Sequence, residues 1–149
     1  MKFYSSDETP RTHVLQFDPG DLLLEGVRGF IAESGIRNGV VVSGIGTLRE
    51  TTIHMVTTTT FPPVEVYPDY PDKPLELASM QGVIADGTPH IHMMVSDRTA
   101  AVGGHLEPGC VVLYLAEVVI LEFASPRLAR VPNSAGVLKL VSADDEPAR

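Results

Sequence analysis

Five histidines occur in this 149-residue chain, and three of them, His90, His92 and His105, fall within residues 88–105. A strand over 89–96 puts His90 and His92 on one face, because side chains alternate with period two. Their Cα atoms then lie about 6.6 Å apart, two strand rises, so both imidazoles can reach one ion. The polar run Ser96-Asp97-Arg98-Thr99 reads as a turn, after which 100–104 returns antiparallel. With a two-residue turn at Arg98-Thr99, Asp97 faces Ala100 and His92 faces His105, and directly opposed residues share a face. Three imidazoles and no fourth protein ligand form the pattern of an open metal site, completed by water or a partner molecule. Such ligands suit zinc, and also nickel, copper and iron. The plain alternative is a solvated polar strand face. The turn lacks the Asn-Gly signal that fixes register, and a slip of one residue sends His105 to the opposite face.

The other groups with chemical potential are weaker. Glu117 falls in line with Val111, Leu113, Leu115, Val119 and Leu121. A carboxylate on a buried apolar face must be paired or protonated. It either forms an ion pair with an arginine such as Arg28 or Arg49, or stands beside a histidine as an orienting or acid/base group. Glu76 and Glu107 are the further acid/base candidates, and their distance from the histidines is not legible in the sequence. His54, among apolar residues, reads as a satisfied strand histidine rather than a ligand. Cys110 reads as a small apolar core residue at a strand start. Gly44-Ile45-Gly46 lacks the third glycine of a dinucleotide loop, Arg49 standing at that place, so it reads as a bulge or tight bend.

The elements that position these groups follow from patterning. Residues 12–17 read as a first strand. Asp18, Pro19 and Asp21 suit the N-cap, first position and first turn of a helix. Leu23, Leu24, Val27, Phe30 and Ile31 form its apolar stripe, and Gly35 ends it. Residues 39–47 and 51–60 read as two β-rich stretches. The segment 61–74 carries five prolines with Tyr67 and Tyr70, an extended crossover serving either an intersubunit contact or a plain surface connection. Residues 74–86 read as a strand with a bulge at Gly82. Residues 106–109 read as a turn, and 111–123, apolar on both faces, as a central strand. Residues 125–133 read as a connection and 137–141 as a short last strand. The polar end 142–149 is expected to fray. This is one α+β domain over 1–149 with its core over about 12–141.

Hydrophobic content of 44% and charged content of 20% are those of a globular chain. A net charge of −8, with 11 Lys and Arg scattered singly, argues against direct nucleic-acid binding. No apolar run approaches the roughly 20 residues of a membrane span. The first residues hold no apolar signal core, and a single cysteine suits a reducing compartment, so a cytoplasmic location is expected.

Taken together, Gly44-Ile45-Gly46-Thr47, Leu75-Glu76-Leu77 with Gly82, Pro89-His90-Ile91-His92, Gly103-Gly104-His105-Leu106 and Glu117-Val118-Val119-Ile120 resemble the plant-and-prokaryote-conserved (PPC) domain family. They come in the family's order over about 12–123. The resemblance implies a largely antiparallel sheet with a packed helix, assembling as a homotrimer. It implies zinc held by His90, His92 and His105, with Glu117, Gly103 and Gly104 at an interface or behind the ligands. Prokaryotic relatives stand alone, whereas plant relatives attach the domain to an AT-hook that binds DNA; no AT-hook and no basic extension occur here. Plant proteins carry Arg-Phe before the glutamate matching Glu76, and this chain does not, so their partner contact is not carried over. The expected function is a trimeric zinc module that binds a small molecule or protein partner. The alternatives are a zinc-dependent hydrolase and, by family analogy alone, a DNA binder.

Overall fold

The computed structural model describes residues 1–143. Its elements are β1 (Arg11–Phe17), α1 (Leu23–Ser34), β2 (Gly39–Val56), β3 (Glu65–Val66), β4 (Asp69–Tyr70), β5 (Leu75–Ala85), β6 (Thr88–Ser96), β7 (Ala101–Leu106), β8 (Val111–Glu122), β9 (Leu128–Pro132) and β10 (Leu138–Ser142). The main sheet runs β1-β8-β2-β5-β6-β7, with β3 and β4 added along β2 and a separate β9–β10 hairpin. The pairings are antiparallel, and the architecture is the expected single sheet-and-helix domain.

β2 organises the whole. Its first half lies between β5 and β8, and its second half pairs with β7 through Ile53↔Leu106 and His54↔His105. The path β2–β5–β6–β7 therefore closes on itself. The sequence suggests two β stretches here with a bend at the glycines. The structure has one strand of 18 residues that bends without breaking. Its register against β8 slips between Val41 and Ser43 and twice more between Gly46 and Glu50. Gly46 permits this bend, since a Cβ there would lie 2.4 Å from the Leu115 carbonyl oxygen.

Three further expectations are corrected. The helix begins at Leu23, not at Pro19, with Leu22 at the cap and no side-chain cap. Asp18–Asp21 instead forms a turn, closed by Asp21 N–H donating to the Asp18 carbonyl at 3.1 Å. Main-chain bonds from the Gly20 N–H to the Val112 carbonyl and from the Val112 N–H to the Asp21 carbonyl, each at 2.9 Å, tie that turn to β8, and these hold it out of the helix. Gly35 does end the helix, in the left-handed region at φ 70°. Gly82 is not a bulge. It pairs regularly with Ile91, and its lack of a Cβ admits the His90 carbonyl oxygen, 2.3 Å from where that Cβ would stand. The irregularity in β5 falls between Leu77 and Ser79. Finally, the connection at 125–133 contains β9, the partner of the last strand. The fraying expected of 142–149 lies outside the described residues from 144 onward.

One core fills the inside of the curved sheet. Leu23, Leu24, Val27 and Ile31 of α1 pack with Val112, Ala116, Val118 and Ile120 of β8, and with Ile91, Met93 and Val95 of β6. β8 is an interior strand, as expected, but one of its faces is open. Val14 (71% exposed), Ile45 (48%) and Leu115 (46%) lie on the outward side of β1, β2 and β8. Glu117, opposed by Gln16 and Ile45, sits among them and is exposed, not buried. The expected ion pair with Arg28 or Arg49 does not form: among the described residues, Arg49 pairs with Glu50 at 3.0 Å.

Candidate metal centre

The β6–β7 hairpin places the histidines as a two-residue turn requires. Ser96 pairs with Ala101 and His92 with His105, and the Asp97 N–H donates to the Ala100 carbonyl at 2.9 Å. Asp97 supplies what the absent Asn-Gly would have given. Its Oδ1 accepts from the Thr99 N–H and hydroxyl, both at 2.7 Å, and from the Ala100 N–H at 3.0 Å. Lys73, 2.7 Å away, and these hydrogen bonds hold the Asp97 carboxyl well below the usual carboxylate range. Along β6, Pro89, Ile91, Met93 and Val95 turn inward while His90 and His92 turn outward. Period-two alternation thus delivers both rings to the surface side.

The three rings converge. Their centroids are separated by 5.2 Å (His90–His92), 5.1 Å (His90–His105) and 5.6 Å (His92–His105). Tetrahedral coordination with metal–nitrogen bonds of about 2.0–2.1 Å puts ring centroids about 5.2 Å apart. The ring spacing is compatible with that geometry, and three imidazoles are the right donor type for it. Partial desolvation, then the charge of His105, pushes the pKa of His90 and His92 down; Arg130 adds to the effect on His90. Both are thereby biased toward the neutral imidazole that a metal requires.

A fourth histidine, His54, read from the sequence as a satisfied strand residue, stands beside this cluster. His54 faces His105 across the β2–β7 closure, with ring centroids 5.8 Å apart. It stacks on Tyr67, 4.9 Å away and 11° from parallel, and its Nε2 lies 3.5 Å from Glu65 Oε1. Glu107 stands between the two histidines. Its Oε1 is 2.9 Å from His105 Nδ1 and 3.6 Å from His54 Nδ1. Among the described residues, the group whose donor atoms all lie within 4.8 Å of one another is His54, His105 and Glu107, which shares His105 with the three-histidine cluster. Glu107, an acid/base candidate of unknown distance in the sequence, thus proves to lie beside His105. No local signal marks His54, because its place depends on a long-range pairing.

The glycines next to His105 make the closure sterically feasible. A Cβ on Gly104 would lie 2.5 Å from the His54 carbonyl oxygen, and one on Gly103 would lie 3.0 Å from that of Met93. A groove of about 430 Å³ results, lined by His54, His90, His92, Gly103, Gly104 and His105 among others.

The remaining acids lie elsewhere. Glu117 pairs with Ile45, nine positions before His54 on β2. Glu76 pairs with Ser96, four positions beyond His92, and lines a separate cleft with Lys73, Asp97, Arg98 and Tyr114. Cys110 is fully buried. Burial foremost pushes its thiol up to about 11, which fits a core residue.

The chain is 29% identical over 133 residues to the bifunctional protein GlmU of Synechococcus sp. (strain JA-3-3Ab), covering 87% of the chain. It spans only 20% of that protein's length. Among solved structures, the metal-containing protein AF0104 of Archaeoglobus fulgidus superposes with a TM-score of 0.79 at 23% identity, covering 95% of this chain and 99% of that one. A Bacteroides thetaiotaomicron protein described as a candidate DNA binder gives a TM-score of 0.76 at 20% identity, with the same coverage. These likenesses establish the fold. The family model of the Plants and Prokaryotes Conserved domain matches residues 4–124, and the chain belongs to that family.

Proposed function

We propose that the protein is a homotrimeric metal-binding module that holds zinc on His90, His92 and His105 and acts by binding a ligand or protein partner. The observation that carries this reading is the gathering of three imidazole rings on one outward face, with centroids 5.2, 5.1 and 5.6 Å apart. Three protein ligands leave one position open, which is where a ligand or partner would meet the metal. The metal-containing Archaeoglobus neighbour supports the same reading. Trimer formation rests on the family resemblance and on the apolar outward face of β1, β8 and β2, which needs a protein cover. A single buried cysteine fits a cytoplasmic setting, and no helix among the described residues is long and apolar enough to cross a membrane.

Metal content by inductively coupled plasma mass spectrometry on untagged protein, beside a His92→Ala variant, tests the site. The expected result is near one zinc per chain, lost in the variant. No metal in either protein after zinc is offered would remove the reading. A monomer by light scattering at micromolar concentration would remove its trimeric part.

One observation favours a second reading, a zinc-dependent hydrolase: Glu107 puts a carboxylate beside the histidine cluster. Three histidines and an open position can lower the pKa of a bound water to about 7, and such hydroxide chemistry uses a nearby acid or base. Zinc-loaded protein that leaves esters, lactones, amides and phosphates unchanged would end this reading. DNA binding, suggested by the Bacteroides neighbour, requires a steep salt-dependent affinity for duplex DNA, and a chain of net charge −8 is expected to show none.

A further inference from the structure

We propose that Glu107 is a positioning residue that aims His105 at the metal, by holding the proton on Nδ1 and leaving Nε2 as the ring's free lone pair. This deepens the metal reading of His90, His92 and His105 and rests on it.

Glu107 Oε1 lies 2.9 Å from His105 Nδ1, within the range of a charge-assisted hydrogen bond. An ionised carboxylate only accepts, so Nδ1 donates; a neutral imidazole has one N–H, so Nε2 is bare. Ligating histidines are commonly held this way, with the far nitrogen bonded to a carboxylate that fixes tautomer and ring orientation.

The carboxylate is itself well placed. Leu106, fully buried, anchors the chain between His105 and Glu107. The Glu107 N–H donates to the Thr52 carbonyl at 3.3 Å, and the Glu107 carbonyl accepts from the Cys110 thiol at 3.4 Å. The turn that carries Glu107 is thus fastened to β2 and to the start of β8. His54 Nδ1, at 3.6 Å from the same oxygen, lies beyond a good hydrogen bond, so His105 is the principal partner.

The competing arrangement makes Glu107, His105 and His54 direct ligands. It requires His105 to surrender the Nδ1 proton and the 2.9 Å hydrogen bond, and to bind through the nitrogen that faces Glu107. It also leaves His90 and His92, whose rings lie 5.1 and 5.6 Å from that of His105, outside the donor set.

Two measurements on wild type, Glu107→Gln and Glu107→Ala separate these outcomes. The first is zinc affinity by competition with a chelator. The second is the tautomer of His105 in the metal-free protein, from imidazole nitrogen chemical shifts, which a merely structural role would not move. The wild type should show Nδ1–H at His105. Glu107→Ala should bind zinc about 10–100-fold more weakly and show a tautomer mixture. Glu107→Gln keeps an acceptor oxygen and should retain most of the affinity and the Nδ1–H tautomer. Wild type that binds zinc, with Glu107→Ala unchanged in affinity, overturns the positioning role and leaves the metal reading intact. Glu107→Gln as impaired as Glu107→Ala overturns it in favour of direct ligation. Wild type that binds no zinc overturns the metal reading, a failure read from the wild-type arm alone.

Discussion

Two stretches of the same outward sheet surface leave different things unsatisfied. On β6 and β7 the outward positions carry imidazoles, with Glu107 just beyond the end of β7. On β1, β8 and the first half of β2 they carry Val14, Leu115 and Ile45. Beneath both stretches the inward residues are alike: Ile91, Met93 and Val95 on one side, Val112, Val118 and Ile120 on the other. Core packing therefore demands neither set of outward residues. A strand face that merely meets water is served by any solvated polar side chain. Converging histidines instead suit a cation, and open aliphatic side chains suit a protein surface.

The sharpest break of this comparison is at the apolar stretch. Ile45→Asp combined with Leu115→Asp puts two charges where a subunit interface would need methyl groups. Both positions are exposed, so the chain should still fold. The particle mass in solution should fall to about one third, to that of a single chain, while zinc content stays near one per chain. If the double variant remains a trimer, the apolar stretch is not the interface, and the division of labour between the two stretches is wrong. Loss of zinc together with assembly would mean instead that the metal site depends on neighbouring subunits.

A smaller effect is expected at the closure of the sheet. Gly104→Ala pushes a methyl group against the His54 carbonyl oxygen, 2.5 Å from the ideal Cβ position. The obstacle is backbone, so β7 must move away from β2. Overpacking of this kind costs about 1–3 kcal/mol. The expected result is a lower denaturation midpoint together with weaker zinc binding, because the displaced strand carries His105. Gly20→Ala is a useful control: nothing lies near its Cβ, but its φ of 93° makes alanine strained, so stability alone should fall. Equal zinc affinity in Gly104→Ala and wild type would show that the β2–β7 closure does not hold the site.

What could be read in advance divides along the same line. The hairpin was legible because it is local. Period-two alternation fixed the faces of His90 and His92, whereas the register that brings in His105 stayed open and is set by the hydrogen bonds of Asp97 in the turn. Leu24, Val27 and Ile31 were legible as the inward stripe of α1. His54 was not, because its place depends on β2 bending past Gly46 and meeting a strand some fifty residues later in the chain. Glu117 was misplaced for a related reason. An apolar neighbourhood on both faces of β8 reads as burial on both faces, and sequence does not distinguish a core from an exposed apolar surface. The helix start was missed because Asp18-Pro19-Gly20-Asp21 satisfies the rules for a turn as well as those for a cap. Main-chain bonds to β8 decided between them.

The smallest effect concerns the junction between the two stretches. Cys110 lies where β8 begins, where β2 passes from one stretch to the other, and where the turn carrying Glu107 ends. Its thiol lies 3.4 Å from both the Thr52 and Glu107 carbonyls, sharing its one proton between them, and accepts from the Thr52 N–H at 3.4 Å. Burial raises its pKa to about 11, so at pH 8 almost none of it is thiolate, the form that reacts. Labelling by a thiol reagent at pH 8 should therefore be negligible in the native protein, with or without zinc, and complete in denaturant. Native labelling that slows when zinc is added would show the junction opening in the metal-free state. The histidine stretch would then move independently of the apolar one, and metal binding would be coupled to the order of the whole sheet. Negligible labelling in both states would mean the junction is already closed before any ion arrives, so Glu107 and His105 are preorganised by the fold and zinc need only displace water.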